Sequence, residues 1–139
     1  MNLRSMLGQY LLAMLVFLVL DLVWLGVVAQ DLYDRELGGL LAEDPNVAAA
    51  GVFYALFVAG LLFFVVRPAL EAGSGRDALV RGAAFGLVTY ATWDLTGLAV
   101  IEGFPVTLAL VDMAWGTLLA ATVSTATYHG WRRLTRPRP

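Results

Sequence analysis

Residues 7–29, LGQYLLAMLVFLVLDLVWLGVVA, decide the fold class of this chain. They form an unbroken apolar run in which Asp21 is the one charged side chain. A transmembrane α-helix needs about 20 consecutive apolar residues, so this run is long enough to cross a bilayer. A charge near the centre of such a helix costs roughly 2.5–3.5 kcal/mol on insertion scales, so it is rarely accidental. The run therefore predicts a membrane helix that is not cleaved as a signal peptide, with Asp21 as its candidate functional residue.

Three further apolar runs follow, at 47–66, 79–101 and 106–128. Of the 139 residues, 60% are hydrophobic and 14% are charged. Soluble domains average about 25% charged residues, so this composition is typical of a membrane protein. We predict an all-α integral membrane protein, with one transmembrane domain over 1–139. Its architecture is a four-transmembrane-helix antiparallel bundle followed by a basic tail at 129–139.

The arginines predict the orientation of the bundle. They lie before the first run, around the loop that joins the second and third, and after the fourth, at Arg4, Arg67, Arg76, Arg81, Arg132, Arg133, Arg136 and Arg138. The 30–46 loop carries five acids against Arg35 alone. By the positive-inside rule both termini are cytoplasmic and this loop lies outside.

The first outer loop also contains a helical pattern. Tyr33, Leu37, Leu40 and Leu41 recur at i, i+4, i+7 and i+8. This spacing predicts a short interfacial helix whose apolar face lies on the membrane surface. The Pro45-Asn46 pair would end that helix, and Asn46 would cap the next.

Three acids in the predicted helices fall at nearly the same depth. At about 1.5 Å per residue, Asp21, Asp94 and Asp112 lie about 12, 10 and 9 Å inside the outer ends of their helices. Tyr54 lies at a similar level. We predict a polar layer near the outer leaflet that forms a binding site. Its candidate residues are Asp21, Asp94, Asp112, Tyr54, Tyr90, Thr96, Trp24, Trp93 and Trp115.

The third run carries a stripe of small and polar residues. Gly82, Gly86, Tyr90, Trp93 and Asp94 share one helical face, and its glycines allow a neighbouring helix to approach closely. We therefore expect the aromatic side chains and the acid of this stripe to point into the bundle.

Arg81, at the inner start of the third span, is the one arginine within the predicted spans, and at about 1.5 Å per residue it lies about 20 Å along the helix from Asp94. No arginine inside the spans is therefore placed to neutralise the acids. The carboxyls can stay protonated, share protons as carboxyl pairs do, or bind a cation. Arg35 could also reach down from the outer loop, although it could pair with one acid at most. Protonated acids that only hold helices together remain an alternative.

Several kinds of chemistry are excluded by composition. The chain has no cysteine, so thiolate metal sites and iron–sulfur clusters are not expected. His129 is the single histidine, which excludes a multi-histidine zinc or haem site within one chain. The metal-ligand candidates that remain are Asp21, Asp94 and Asp112. We find no basic aromatic pattern for nucleic acid.

Four segments resemble a known bacterial family. They are Asp21-Leu-Val-Trp-Leu-Gly26, Phe53-Tyr54, Tyr90-Ala-Thr-Trp-Asp94-Leu-Thr96 and Val111-Asp112-Met-Ala-Trp115-Gly-Thr117. They look like the signature segments of domain of unknown function 2177, a family of small four-helix inner-membrane proteins. The resemblance covers nearly the whole chain. It implies a bacterial cytoplasmic (inner) membrane as the location, and it implies no established activity.

Three functions are compatible with these residues. The first is binding or transport of a proton, a small cation or a small or lipid ligand at the acidic layer. The second is an accessory or structural subunit of a larger membrane complex, or a homodimer in which the acids fix helix packing. The third is an intramembrane lipid-modifying enzyme with paired aspartates as acid and base, or as ligands of a divalent metal. The sequence leaves open whether the protein is an enzyme.

Overall fold

The computed structural model describes residues 3–135, and this part of the chain is almost entirely helical. It contains four long helices: α1 (Leu3–Leu40), α2 (Val47–Ala72), α3 (Gly75–Val100) and α4 (Val106–Leu134). The predicted tail residues Arg136 and Arg138 lie outside the described residues. The all-α fold class predicted from the sequence is confirmed.

The helices alternate in direction and form a bundle in which each packs on the next, and α4 closes the ring against α1. We call the end with the α1–α2 and α3–α4 connections the acidic end. The end with the start of α1, the α2–α3 turn and Arg132 is the arginine end. The α3–α4 connection is a tight turn in which Gly103 has a φ of 75°. Because that turn is so short, α3 and α4 are neighbours along their whole length.

Three of these helices, α1, α2 and α4, are long and apolar enough to cross a membrane. The α3 helix has 26 residues, which corresponds to about 39 Å, but its first turns carry Arg76, Asp77 and Arg81. Leucines, valines and phenylalanines cover much of the outer surface of the bundle. An apolar surface of this extent suits lipid rather than water. The chain is therefore a multi-pass membrane protein.

The first helix is longer than its predicted span. Its α-helical part, Leu3–Val23, passes into a π-helical turn at Trp24–Ala29 and continues as Gln30–Leu37 and a 3-10 turn at Gly38–Leu40. The helical segment predicted for the outer loop is thus present, joined without a break to the first helix. Asn46 accepts a hydrogen bond at Oδ1 from the Ala49 amide at 3.0 Å, as predicted for an N-cap.

A second π-helical turn, Leu62–Val66, lies near the arginine end of α2. It comes just before Arg67-Pro68, and proline can neither donate a backbone hydrogen bond nor fit a regular α-helical turn. The wider turn accommodates the proline without ending the helix. As a result, α2 continues to Ala72.

The α3–α4 contact depends on glycines. A methyl group at Gly86 would overlap the Gly116 carbonyl, and one at Gly82 would lie 2.7 Å from Ser124 Oγ. The two backbones can approach this closely because neither glycine has a side chain. The predicted glycine stripe of α3 therefore faces α4, and it brings the acid-bearing turns of both helices together.

Candidate binding site

A cavity of about 440 Å³ lies among the helices toward the acidic end of the bundle. This volume falls in the range of ligand pockets, roughly 300–1,000 Å³. Seven of its twelve lining residues are aromatic. The lining residues are Asp21, Trp24, Leu25, Tyr33, Ala50, Phe53, Tyr54, Thr89, Tyr90, Trp93, Asp112 and Trp115.

Asp21 forms one wall of the cavity and is 6% exposed. It lies in the last α-helical turn of α1 before the π-helical turn. The Tyr54 hydroxyl of α2 donates a hydrogen bond of 2.5 Å to Asp21 Oδ2. The Tyr54 ring is in turn held edge-on by Phe17, with ring centroids 5.0 Å apart.

Asp112 of α4 forms a second wall. Its Oδ1 accepts a hydrogen bond of 2.9 Å from the Tyr33 hydroxyl. The sequence placed Tyr33 on the apolar face of an interfacial helix and did not include it in the site. The structure adds Tyr33 to the site, because the segment Gln30–Leu37 follows the π-helical turn of α1 and contacts α4. The one available signal was a tyrosine on a face otherwise made of leucines.

Asp94 of α3 lies beside Asp112 and is fully buried. The two carboxyls interact electrostatically, and Asp112 is the acid that acts most strongly on Asp94. Neither Asp94 oxygen has a hydrogen-bond donor among the described residues. Two neighbouring ionised carboxyls repel each other, and one proton held by the pair would remove this repulsion. The pair can thus hold a proton where no protein donor is available.

Trp24 and Trp115 form an aromatic wall between the acids of α1 and α4. Their rings stack with centroids 4.4 Å apart and 5° between their planes. Both indole Nε1 atoms are buried and lack an acceptor within residues 3–135. Tyr90 packs against Gly116, where any side chain would overlap its ring. These aromatic residues of the predicted layer therefore do meet at one cavity.

Two predicted site residues, Asp94 and Thr96, do not line the cavity, and a third, Trp93, lies only at its edge. Trp93 lines the cavity but is 59% exposed, so it forms the rim and does not point into the bundle as expected. Thr96 is exposed and does not line the cavity. Successive helical residues are about 100° apart, so Thr96 lies on the opposite side of α3 from Asp94. The prediction of Thr96 as part of the layer is wrong for this reason.

No arginine, lysine or histidine occurs among the described residues that line the cavity. Arg35 does not reach down to the acids, because its Nε donates to the Asp31 carbonyl oxygen at 3.2 Å. Within residues 3–135 no group of three or more His, Cys, Asp or Glu side chains is arranged to hold a metal ion. Asp21, Asp94 and Asp112 therefore do not together form the candidate metal site considered from the sequence.

No curated protein and no solved structure matches this chain. One family does match, over residues 6–129, and it is described as "Predicted membrane protein (DUF2177)". The matched region includes every acid and aromatic residue that lines the cavity. It also covers most of the chain, as the resemblance of the signature segments predicts. The chain therefore belongs to this family of membrane proteins.

Proposed function

We propose that this protein binds an organic ammonium group in the cavity at the acidic end of the bundle. The ligand would be a lipid or small amphiphile with an ammonium group attached to an apolar tail. The observation that carries the proposal is the lining itself: two carboxyls and seven aromatic rings, with no basic side chain among them.

The acids make a cation the favourable occupant. An isolated carboxylate in an apolar site is costly unless it is paired, protonated or bound to a cation. Asp21 and Asp112 each have one tyrosine donor, which satisfies only part of the acceptor capacity of a carboxylate. An ammonium group between them would supply the missing positive charge.

The aromatic rings favour an organic cation over a bare metal ion. A cation within about 6 Å of the face of a Trp, Tyr or Phe ring is attracted by the ring quadrupole, and cages of such rings bind quaternary ammonium ligands. Trp24, Trp115, Tyr54 and Phe53 line the cavity together with the acids. The exposed Trp93 at the rim leaves room for an apolar tail to extend toward lipid.

The Asp94–Asp112 pair supports a role for a proton at the same site. The shared proton would keep the empty cavity closer to neutral, and it would leave when a cation arrives beside Asp112. In this scheme Asp94 stores the proton, while Asp112 and Asp21 contact the ligand. Proton release on binding is therefore part of the proposal.

The arginine pattern supports an orientation for this site. We propose a bacterial cytoplasmic membrane, four spans including α3, both termini in the cytoplasm, and the cavity toward the outer leaflet. We also propose that the chain forms one transmembrane domain. A lipid of the outer leaflet would reach the cavity past Trp93.

The test is a titration of the purified protein with hexyltrimethylammonium and, separately, with hexanol as the neutral control. Binding is measured by the fluorescence of Trp24 and Trp115, and proton release by a pH-indicator dye. We expect saturable binding of hexyltrimethylammonium and no binding of hexanol. Asp112→Asn should bind the ammonium compound about tenfold more weakly, because the ion pair with Asp112 is lost.

The matched control is Asp44→Asn, which makes the same charge change on an exposed loop residue that does not line the cavity. It should bind like the unchanged protein. Equal binding of hexanol and hexyltrimethylammonium, or equal weakening by Asp44→Asn, would contradict the proposal.

A further inference from the structure

We propose a second site, at the arginine end of the bundle, that binds the phosphate of a membrane phospholipid. Arg67 and Arg132 would hold the phosphate, and one acyl chain would lie in a groove between α1 and α2. This site is separate from the acidic cavity and does not depend on the function proposed for that cavity.

The headgroup would occupy a polar cavity of about 370 Å³. Three helices contribute to it: the start of α1, the end of α2 and the end of α4. Its lining residues are Ser5, Gln9, Arg67, Leu70, Glu71, Gly73, Trp131, Arg132 and Thr135. The cavity therefore lies where the bundle reaches the level of lipid headgroups, with Trp131 as an interfacial aromatic residue.

Arg67 has an unused donor in this cavity. Its Nε is buried and has no hydrogen-bond acceptor within residues 3–135. Leaving a buried charged donor unpaired is costly. Arg67 lies within α2, directly after the π-helical turn Leu62–Val66. An acceptor from a ligand would relieve this cost.

Arg132 is held in place by Tyr128. Its Nη1 donates to the Tyr128 hydroxyl at 2.6 Å, and its guanidinium carbon lies 5.5 Å from the centroid of the Tyr128 ring. The same nitrogen also donates to the Gly73 carbonyl at 3.5 Å. A guanidinium has five N–H donors, and the two on Nη1 are used here, so the edge formed by Nε and Nη2 keeps three donors for a ligand. Arginine suits phosphate because its planar fork matches two phosphate oxygens.

The charges of the cavity favour a singly charged phosphate. Two arginines line it, and Glu71 opposes them from an exposed position. The net positive charge therefore matches a phosphodiester, which carries one negative charge, better than a doubly charged phosphate monoester. Membrane phospholipids contain this phosphodiester.

An apolar groove continues from the cavity at Arg67. It measures about 360 Å³ and is lined by Leu3, Met6, Leu7, Tyr10, Ala59, Leu62, Phe63 and Arg67. Arg67 is thus shared between a polar cavity and an apolar groove. A soluble anion would use only the cavity, whereas a phospholipid would fill both. This continuity points to the lipid.

The test uses the full chain in dodecyl maltoside and measures lipid retention by native mass spectrometry. The probe is dioleoylphosphatidylglycerol. Dioleoylglycerol serves as the control without phosphate, and inorganic phosphate as the control without a tail. We expect one retained phosphatidylglycerol, no retained dioleoylglycerol, and no displacement of the lipid by millimolar phosphate.

Arg67→Gln should bind the lipid about tenfold more weakly, because the central charge-assisted hydrogen bonds are lost. Arg133→Gln is the matched control. It makes the same charge change next to Arg132 in α4, at a residue that does not line the cavity. Arg67→Lys, which keeps the charge but lacks the planar fork, should be intermediate and guards against a folding defect in Arg67→Gln.

Three results would overturn the proposal. Equal weakening by Arg133→Gln would mean that only the overall positive charge attracts lipid. Equal retention of dioleoylglycerol would mean that the groove binds tails without a headgroup site. Displacement by inorganic phosphate alone would assign the cavity to a soluble anion.

Discussion

At the scale of single residues, Asp94 differs from Asp21 and Asp112. Asp21 and Asp112 each accept a hydrogen bond from a tyrosine, whereas Asp94 has only the Asp112 carboxyl beside it. Asp94 is fully buried, whereas Asp112 is only partly buried. An asparagine amide at position 94 could donate its own N–H to Asp112, so the pair would no longer need a titratable proton. Position 94 therefore offers a direct test of proton sharing.

We expect Asp94→Asn to fold with unchanged or higher thermal stability, because the amide replaces the shared proton with a permanent donor. It should also abolish the proton release that accompanies ammonium binding. Asp94→Ala, which removes the group altogether, should cost about 1–3 kcal/mol. Thermal unfolding and the pH-indicator titration provide the two readouts. If Asp94→Asn released protons as the unchanged protein does, the shared-proton assignment would be wrong.

At the scale of the helices, the α3–α4 pair positions the site. Gly86 lies against the Gly116 backbone, and Gly116 in turn leaves space for the Tyr90 ring. Separating these two helices would therefore move Tyr90, Asp94 and Asp112 at the same time. The glycines are thus part of the construction of the cavity, although they do not line it.

We expect Gly86→Ala to destabilise the bundle by about 1–3 kcal/mol, because the added methyl group overlaps the Gly116 carbonyl. Gly51→Ala is the control. Gly51 is a helical residue of α2 with no atom within 4 Å of an added methyl group. This second change should be neutral or stabilising by about 0.5–1 kcal/mol, since alanine favours helix over glycine. Thermal unfolding of both variants in detergent would show whether they shift in opposite directions.

At the scale of the whole molecule, the two ends of the bundle have opposite chemistry. The acidic cavity lies toward one end and the arginine-lined cavity at the other. If the positive-inside rule holds for this chain, the first cavity faces the outer leaflet and the second the inner leaflet. The two proposed ligands would then come from different leaflets.

The absence of cysteine in the sequence permits a clean test of this orientation. Single cysteines at Asp44→Cys, in the α1–α2 connection, and Ala72→Cys, at the end of α2, both replace exposed residues. In intact bacterial cells, a membrane-impermeant maleimide should label position 44. Position 72 should react only after the cells are permeabilised. The reverse pattern would invert the proposed topology, and labelling of both positions in intact cells would exclude the four-span arrangement.

The sequence by itself determined the four long helices and where the second and fourth begin, although not where each of them ends. Long apolar runs can satisfy their backbone hydrogen bonds in a bilayer only as helices, so the fold class followed from composition and length. Local chemistry determined the boundary at Asn46, because its side chain accepts a hydrogen bond from the Ala49 amide three residues later. The constant rise of a helix predicted one level for Asp21, Asp94 and Asp112, and the first and last of these line one cavity.

Only the tertiary structure decided which way the side chains face. Because the membrane helices are apolar nearly all round, their pattern hardly distinguishes the lipid side from the bundle side. Trp93 and Thr96 were misplaced for this reason, although both lie within two residues of Asp94. Tyr33 reaches Asp112 because a π-helical turn redirects the end of α1, and this contact joins residues 79 positions apart. A contact over that separation depends on how whole helices pack, which no local spacing specifies.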